Sequence, residues 1–171
     1  MMRSLRGRSV SIIFQDPLSA LNPLMTVGQQ VAEVMEAHRS GTSATRAKAV
    51  VDLLGEVGLP DPEVLRHQYP FQLSGGQRQR VMIAMALALE PDLLIADEPT
   101  TALDVTTQAQ ILALIRRLQR EKNMSVMFIT HDFGVVAEIA DRVIVMEKGA
   151  RSNRAPPPTC LAIQAIPTPG G

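Results

Sequence analysis

Apolar residues recur along this chain with two periods, and the switch from one to the other marks out its elements. Residues 9–14 are β-branched and aromatic, which predicts a short strand, and Gln15-Asp16-Pro17 ends it because proline cannot donate to a ladder. From Thr26 the period becomes that of a helix. Val27, Val31, Val34 and Met35 share one face of residues 26–39, and Thr26 with Gln29 has capping-box spacing. After a polar loop at 40–43, Val50, Leu53, Leu54 and Val57 predict a second helix over 44–57, ended by Gly58. Asp61 before Pro62 predicts an aspartate cap and a short helix to about His67. A helix-forming run covers 78–89. Residues 93–96 are then apolar without alternation, the pattern of a parallel strand buried on both faces. Ile111, Ile115 and Leu118 line a helix over 105–121, residues 125–130 form another strand, and a helix at 133–140 and a strand at 142–146 follow.

Candidate chemistry collects where these elements begin and end. Ser74 and Gln77 bracket Gly75 and Gly76 with a second capping-box spacing, so a helix starts there. Without Cβ atoms on the glycines, its first amides and the positive end of its dipole can approach an anion closely, typically a phosphate. A flexible turn capped onto a buried helix fits the same letters. Asp97 and Glu98 close the strand at 93–96, and ligands in open α/β sheets collect at the carboxyl ends of strands. One carboxylate of such a pair can hold Mg²⁺ while the other accepts a proton from water attacking phosphorus, although a solvated strand end reads the same way. His131 stands at the tip of the next strand, on the same rim, where a structural role is the plain alternative. Gln15, at the tip of the first strand, could equally open a solvated loop. Asp104 can cap the helix that follows it. His67 and Tyr69 fit packing or loop roles.

Composition narrows the classes. The 171 residues fit one domain, short for a larger α/β enzyme. Seventeen basic and seventeen acidic residues cancel, which argues against a protein built to hold nucleic acid. The longest apolar run, residues 81–89, falls well short of the roughly 20 residues that cross a bilayer as a helix. The N-terminus is basic but has no apolar signal segment, so a cytoplasmic location is expected. One cysteine, Cys160, forms no internal disulfide, and His38, His67 and His131 show no zinc-ligand spacing with it.

Leu73-Ser74-Gly75-Gly76-Gln77 resembles, letter for letter, the signature sequence of ATP-binding-cassette (ABC) ATPases. Other stretches agree in order. Residues 13–23, Ile-Phe-Gln-Asp-Pro-Leu-Ser-Ala-Leu-Asn-Pro, resemble the Q-loop region of the peptide and nickel import branch of that family. The apolar strand with Asp97-Glu98-Pro99, 21 residues after Gly76, resembles Walker B; Thr101-Ala102-Leu103-Asp104 resembles the D-loop; His131 after Thr130 resembles the H-loop. The resemblance covers about 12–149. It implies an α/β fold, part of a P-loop ATPase domain, with a mostly parallel sheet and an inserted helical subdomain. Residues 1–149 are then a partial ABC ATPase domain, the helical subdomain at about 24–90 and the Walker B core at about 91–149.

By the same resemblance the cofactors are ATP and Mg²⁺. Asp97 and Gln15 reach the metal, Glu98 is the general base, and His131 contacts the γ-phosphate. Ser74, Gly75, Gly76 and Gln77 close over ATP held by a second ABC ATPase subunit in a head-to-tail dimer, with Asp104 in the loop between the sites. Further implied partners are transmembrane permease subunits and, indirectly, a substrate-binding protein, with the chain peripheral on the inner face of the membrane. The first reading is the ATP-hydrolysing subunit of a dipeptide, oligopeptide or nickel importer. A non-transport ABC ATPase shares the signature and Walker B but not the importer-like Q-loop region. A non-catalytic remnant docking on a membrane subunit is the third reading.

Two stretches break the pattern. No Gly-x-x-x-x-Gly-Lys-Ser/Thr occurs in the chain, and its place in the family lies upstream of Met1, so a fragment is expected. Three charge-assisted bonds from that loop would contribute roughly 5–9 kcal/mol. That matches the whole free energy of millimolar to micromolar binding, about 4–8 kcal/mol, so the chain alone is expected not to bind ATP. The strand carrying that loop is expected to lie beside the Walker B strand, and its absence to uncover Leu94 and Ile95. At the other end, five of the twelve prolines fall within the last sixteen residues, and residues 150–171 are expected to be an extended or disordered tail. Its abrupt change of composition is read as a frameshift or misplaced stop, a reading that resequencing to an intact parental frame would remove.

Overall fold

Three parallel strands organise the computed structural model, which describes residues 9–38, 41–147, 150–152 and 161–166. Strand β1 (Val10–Ile13) pairs with β2 (Leu93–Asp97) in the register Val10↔Leu93 to Ile13↔Ala96. Strand β2 pairs in turn with β3 (Ser125–Thr130) from Leu93↔Ser125 to Asp97↔Ile129. These registers bring the carboxyl ends of all three strands to one rim. Strands β4 (Ile144–Glu147), β5 (Ala150–Ser152) and β6 (Leu161–Ile166) complete a six-stranded sheet ordered β1-β2-β3-β6-β4-β5, with β6 antiparallel to both β3 and β4.

Two expectations are corrected here. Strand β2 has neighbours on both sides, β1 and β3, so it is not laid bare: Leu94 is fully buried and Ile95 half-buried. Residues 150–152 and 161–166, expected in an extended or disordered tail, form strands β5 and β6. The run Leu-Ala-Ile-Gln-Ala-Ile between prolines is apolar enough to pair with a sheet, and proline restricts only its flanks. Residues 153–160 and 167–171 of that tail lie outside the described residues.

The helices follow their caps. Asp16 accepts from the Leu18 amide and starts a short helix, α1 (Pro17–Ala20), beyond the expected strand stop, because Asp-Pro both ends a strand and caps a helix. Helix α2 (Val27–Ala37) begins on the Thr26–Gln29 capping box, and α3 (Ser43–Glu56) on Thr42. Helix α4 (Pro62–Leu65) differs from expectation. Asp61 sits in left-handed backbone with φ 42° and its side chain makes no capping bond, so proline at the first position carries the start. A 3-10 turn, Pro70–Gln72, leads into α5 (Gly75–Leu87). Helix α6 (Val105–Lys122) ends at Asn123 in left-handed backbone, and α7 (Phe133–Ile139) leads to β4.

One cluster of buried side chains joins helices and sheet. Val81, Ile83 and Leu87 of α5 pack with Leu94, Val126 and Phe128 of the sheet, Ile111 and Leu118 of α6, and Val31 and Leu54 of α2 and α3. Each such aliphatic side chain contributes about 1.5–3 kcal/mol on burial. Helix α5 is therefore fixed on most of its circumference, and so is the turn that starts it.

Candidate functional site at the strand tips

Three separate stretches of chain converge on Glu98. Gln15 follows β1 by two residues, Glu98 directly follows β2, and His131 directly follows β3, so the parallel registers alone bring them together. The Gln15 Nε2 group donates to Glu98 Oε2 at 2.8 Å, and His131 Nδ1 lies 2.7 Å from Oε1, where an imidazole N–H donates to the carboxylate. A third donor comes from the next turn: Thr101 Oγ1 bonds Oε2 at 3.0 Å. Both carboxylate oxygens are thus engaged.

The backbone aims this side chain. Glu98 has φ 45°, left-handed backbone that non-glycine residues rarely adopt, and its amide donates to Ile129 O at 2.9 Å. The chain thereby turns sharply off β2 and leaves the Glu98 side chain only 14% exposed beside a His131 side chain that is 60% exposed. The His131 hydrogen bond holds the Glu98 carboxyl below its ordinary value of 4.5, with Thr101 and the imidazole's charge acting in the same direction against partial burial. Glu98 is therefore ionised at neutral pH and carries lone pairs able to accept a proton.

Asp97 precedes this turn as the last residue of β2 and is half-buried. Gln15 spends its N–H on Glu98, so its amide oxygen, a hard ligand, remains the atom for a cation. Among the described residues no group of three or more His, Cys, Asp or Glu is placed to form a cage of protein ligands. One carboxylate and one amide oxygen fit Mg²⁺, which keeps most of its shell as water and phosphate oxygens.

The glycine turn forms a second group. Ser74 and Gln77 make both bonds of the capping box, Gln77 N to Ser74 Oγ at 3.2 Å and Ser74 N to Gln77 Oε1 at 2.9 Å. The two glycines differ. A Cβ on Gly76 would lie 2.6 Å from Thr107 Cγ2, so the close approach of α5 to α6 demands glycine there. A Cβ on Gly75 would meet Leu103 Cδ2 at 3.6 Å, an ordinary contact, so no packing among the described residues demands glycine there. Asp104 caps α6, accepting from Thr107 N at 3.0 Å and Thr107 Oγ1 at 2.7 Å, and these bonds lower its carboxyl pKa.

Among the described residues no hydrogen bond links Ser74 or Gln77 to the Glu98 group. His67 and Tyr69 belong to neither group: His67 bonds Arg66, and the Tyr69 ring stacks on Phe71 with centroids 5.5 Å apart. Thr101 was missed as a ligand of Glu98. No local pattern announces this contact, because it depends on the left-handed turn at Glu98.

A family model described as ABC transporter matches residues 1–101. The dipeptide transport ATP-binding protein DppD of Bacillus subtilis is 57% identical over 148 residues, 86% of this chain and 44% of that protein. The oligopeptide transport ATP-binding protein OppD of Lactococcus lactis is 55% identical over 154 residues, 90% of this chain and 46% of that one. The glutathione import ATP-binding protein GsiA of Escherichia coli is 57% identical over 151 residues, 86% of this chain and 24% of that one. The chain thus spans less than half the length of these relatives. Among solved structures, the dimeric post-hydrolysis state of the ATP-binding cassette MJ0796 bound to ADP and Pi superposes with a TM-score of 0.71 at 34% identity, over 84% of this chain and 60% of that one. Structure cbiO1 from Clostridium perfringens, part of the ABC transporter complex cbiONQ, gives 0.74 at 33% identity, over 84% and 55%.

Proposed function

The chain belongs to the ABC transporter family, and from that premise we propose that it is the ATP-hydrolysing part of an importer for short peptides, with Glu98 as general base. The convergence of Gln15, Thr101 and His131 on Glu98 is the observation that carries this reading. A carboxylate ionised at neutral pH, fixed in direction by three donors, is suited to take a proton from water. Bound MgATP would supply the electrophilic phosphorus and the leaving group. Asp97 and the Gln15 amide oxygen would hold Mg²⁺. His131, more exposed than Glu98, would turn toward the γ-phosphate and keep base and water in line. Ser74, Gly75 and Gln77 would act on nucleotide held by a second subunit, in keeping with the absence, among the described residues, of a hydrogen bond from Ser74 or Gln77 to the Glu98 group. Gly75 then stays small for the approaching phosphate rather than for its own chain. Residues 24–90 would form the helical subdomain and 91–149 the Walker B core.

The membrane-facing part of the reading has its own support. Around Gln15, Ile12, Phe14 and Leu18 are 44%, 56% and 58% exposed, and Phe14 edges a cleft of about 180 Å³ shared with Val34, Met82 and Met85. Apolar side chains left in water beside Gln15 fit contact with a permease subunit on the cytoplasmic side. No helix among the described residues is long and apolar enough to cross a membrane. The names of the relatives, which speak of dipeptide, oligopeptide and glutathione, support a short peptide as cargo.

The test uses a fluorescent ATP analogue with Mg²⁺ on the purified chain, and phosphate release from the chain fused in frame behind a relative's phosphate-loop segment. The chain alone is expected to show no micromolar binding, and the fusion to hydrolyse ATP. Glu98→Gln in the fusion should lower turnover about 10²–10⁴-fold, the usual contribution of a general base. A fusion that binds MgATP and turns over equally with glutamine at 98 overturns the assignment.

A further inference from the structure

Helices α2 and α3 and the end of α4 enclose a cavity of about 420 Å³ that shares no residue with the Glu98 group or with the glycine turn. Its charged lining is two arginines, Arg46 and Arg66, against one acid, Glu36; His67 and Ser43 add an imidazole and a hydroxyl. Ala32, Ala47 and Val50 supply an apolar wall.

Both guanidiniums are held back from solvent while their acidic partners stand in it. The Arg46 side chain is 19% exposed against 71% for Glu36, and Arg66 is 29% exposed against 70% for Glu63. Water and salt screen such exposed carboxylates, so they neutralise the arginines only in part. The guanidiniums are also fixed before any ligand arrives. Arg46 Nη1 donates to Gly41 O at 2.8 Å, while Arg66 Nε lies 3.2 Å from Glu63 Oε2 and donates to His67 Nε2 at 3.2 Å. The backbone at 66 is pinned to α2 as well: Arg66 O accepts from Gly28 N at 2.8 Å, and a Cβ on Gly28 would lie 2.8 Å from that oxygen. Donors are nevertheless left over. Among the described residues, Arg46 Nη2 reaches only Glu36, at 3.6 Å and too far for a hydrogen bond, and neither Nη of Arg66 makes one.

Two partly desolvated guanidiniums with N–H groups to spare take an oxyanion through charge-assisted, bidentate bonds. A phosphate monoester, with a charge of about −1.5 to −2 and three strong acceptor oxygens, matches two arginines better than a single carboxylate does. The volume falls within the roughly 300–1,000 Å³ of small-molecule sites and exceeds what a bare oxyanion fills. We propose that this cavity binds a small phosphate monoester, with its phosphate on Arg46 and Arg66 and its organic part against Ala32, Ala47 and Val50. A phosphate held by both arginines bridges α3 to the end of α4, so occupancy stabilises this helical region. The site depends neither on Glu98 nor on ATP hydrolysis, and either assignment can fail while the other holds.

The experiment titrates the full chain with phenyl phosphate, inorganic phosphate and benzoate at constant ionic strength. The readouts are the melting temperature and the NMR signals of the Arg46 and Arg66 Nε–H groups and the Ser43 amide. Expected are a saturable rise in melting temperature with phenyl phosphate, shifts confined to the residues around the cavity, and weaker binding of the other two anions. Arg46→Gln and Arg66→Gln should each weaken phenyl phosphate binding about ten- to a hundredfold, the worth of a charge-assisted hydrogen bond. Equal affinity for inorganic phosphate or for benzoate overturns the assignment to an ester. No saturation in the millimolar range, shifts centred elsewhere in the chain, or unchanged binding in both variants overturns the site itself. Should an arginine variant fail to fold, the shift map of the unaltered chain still decides.

Discussion

At the scale of single residues, Glu98 is held in place at a cost. Left-handed backbone costs a non-glycine residue about 1–2 kcal/mol, and three hydrogen bonds to the side chain oppose it. The same bonds make its stability contribution depend on pH. A carboxyl that His131 and Thr101 hold below 4.5 binds fewer protons folded than unfolded. Its contribution is fully present above the ordinary carboxylate value and is lost as pH falls through the lowered folded value. Urea midpoints taken from about pH 6 down to about pH 3 should therefore fall less steeply for Glu98→Gln than for the wild type. Identical slopes would assign the acid sensitivity elsewhere. That Gln15, Asp97, Glu98 and His131 stand at or just past strand ends was legible in the sequence, whereas the roles expected of them came with the family resemblance. The turn that brings Thr101 back onto Glu98 was not, since φ 45° at a glutamate has no signature in its letters.

At the scale of elements, the start of α5 shows how much a short motif specifies. Ser74 with Gln77 announced the helix N-terminus, and both bonds of the box are made. Ser74→Ala should cost about 1 kcal/mol, seen as a lower urea midpoint with unchanged slope. The glycines were less legible. Alanine normally stabilises a helix position by about 1 kcal/mol relative to glycine, yet at Gly76 the 2.6 Å approach of Thr107 Cγ2 reverses the sign. Overpacking of this kind typically costs about 1–3 kcal/mol, so Gly76→Ala should be destabilising. Thr107→Ser, which removes the methyl and keeps the hydroxyl bonded to Asp104, should recover most of that loss in a thermal melt. An equal loss with and without the methyl would place the strain elsewhere. Sequence periodicity reports which face of a helix is apolar, but not which neighbour crosses it at closest approach.

At the scale of the whole molecule, the apolar run at 93–96 pointed to a buried parallel strand and the family resemblance implied the α/β fold around it, and β1, β2 and β3 are parallel. Strand order was not legible, because no local pattern states that β1 and β3 flank β2 or that β6 runs between β3 and β4. A chain stopped after residue 152 would leave β3 and β4 each without its β6 partner, and unpaired interior edges invite association. Its urea transition should broaden and its light scattering rise. A sharp transition at the wild-type midpoint would remove β6 from the cooperative unit. The parallel pairing of β1 with β2 carries a different consequence, one of timing. Val10 meets Leu93 across 83 residues, so on the ribosome β1 emerges long before β2, its partner among the described residues, exists. At about 5–20 residues per second it waits roughly 4–17 s with Ile12, Ile13 and Phe14 in water. During synthesis the nascent chain, rather than the finished fold, is where this sequence most needs a chaperone.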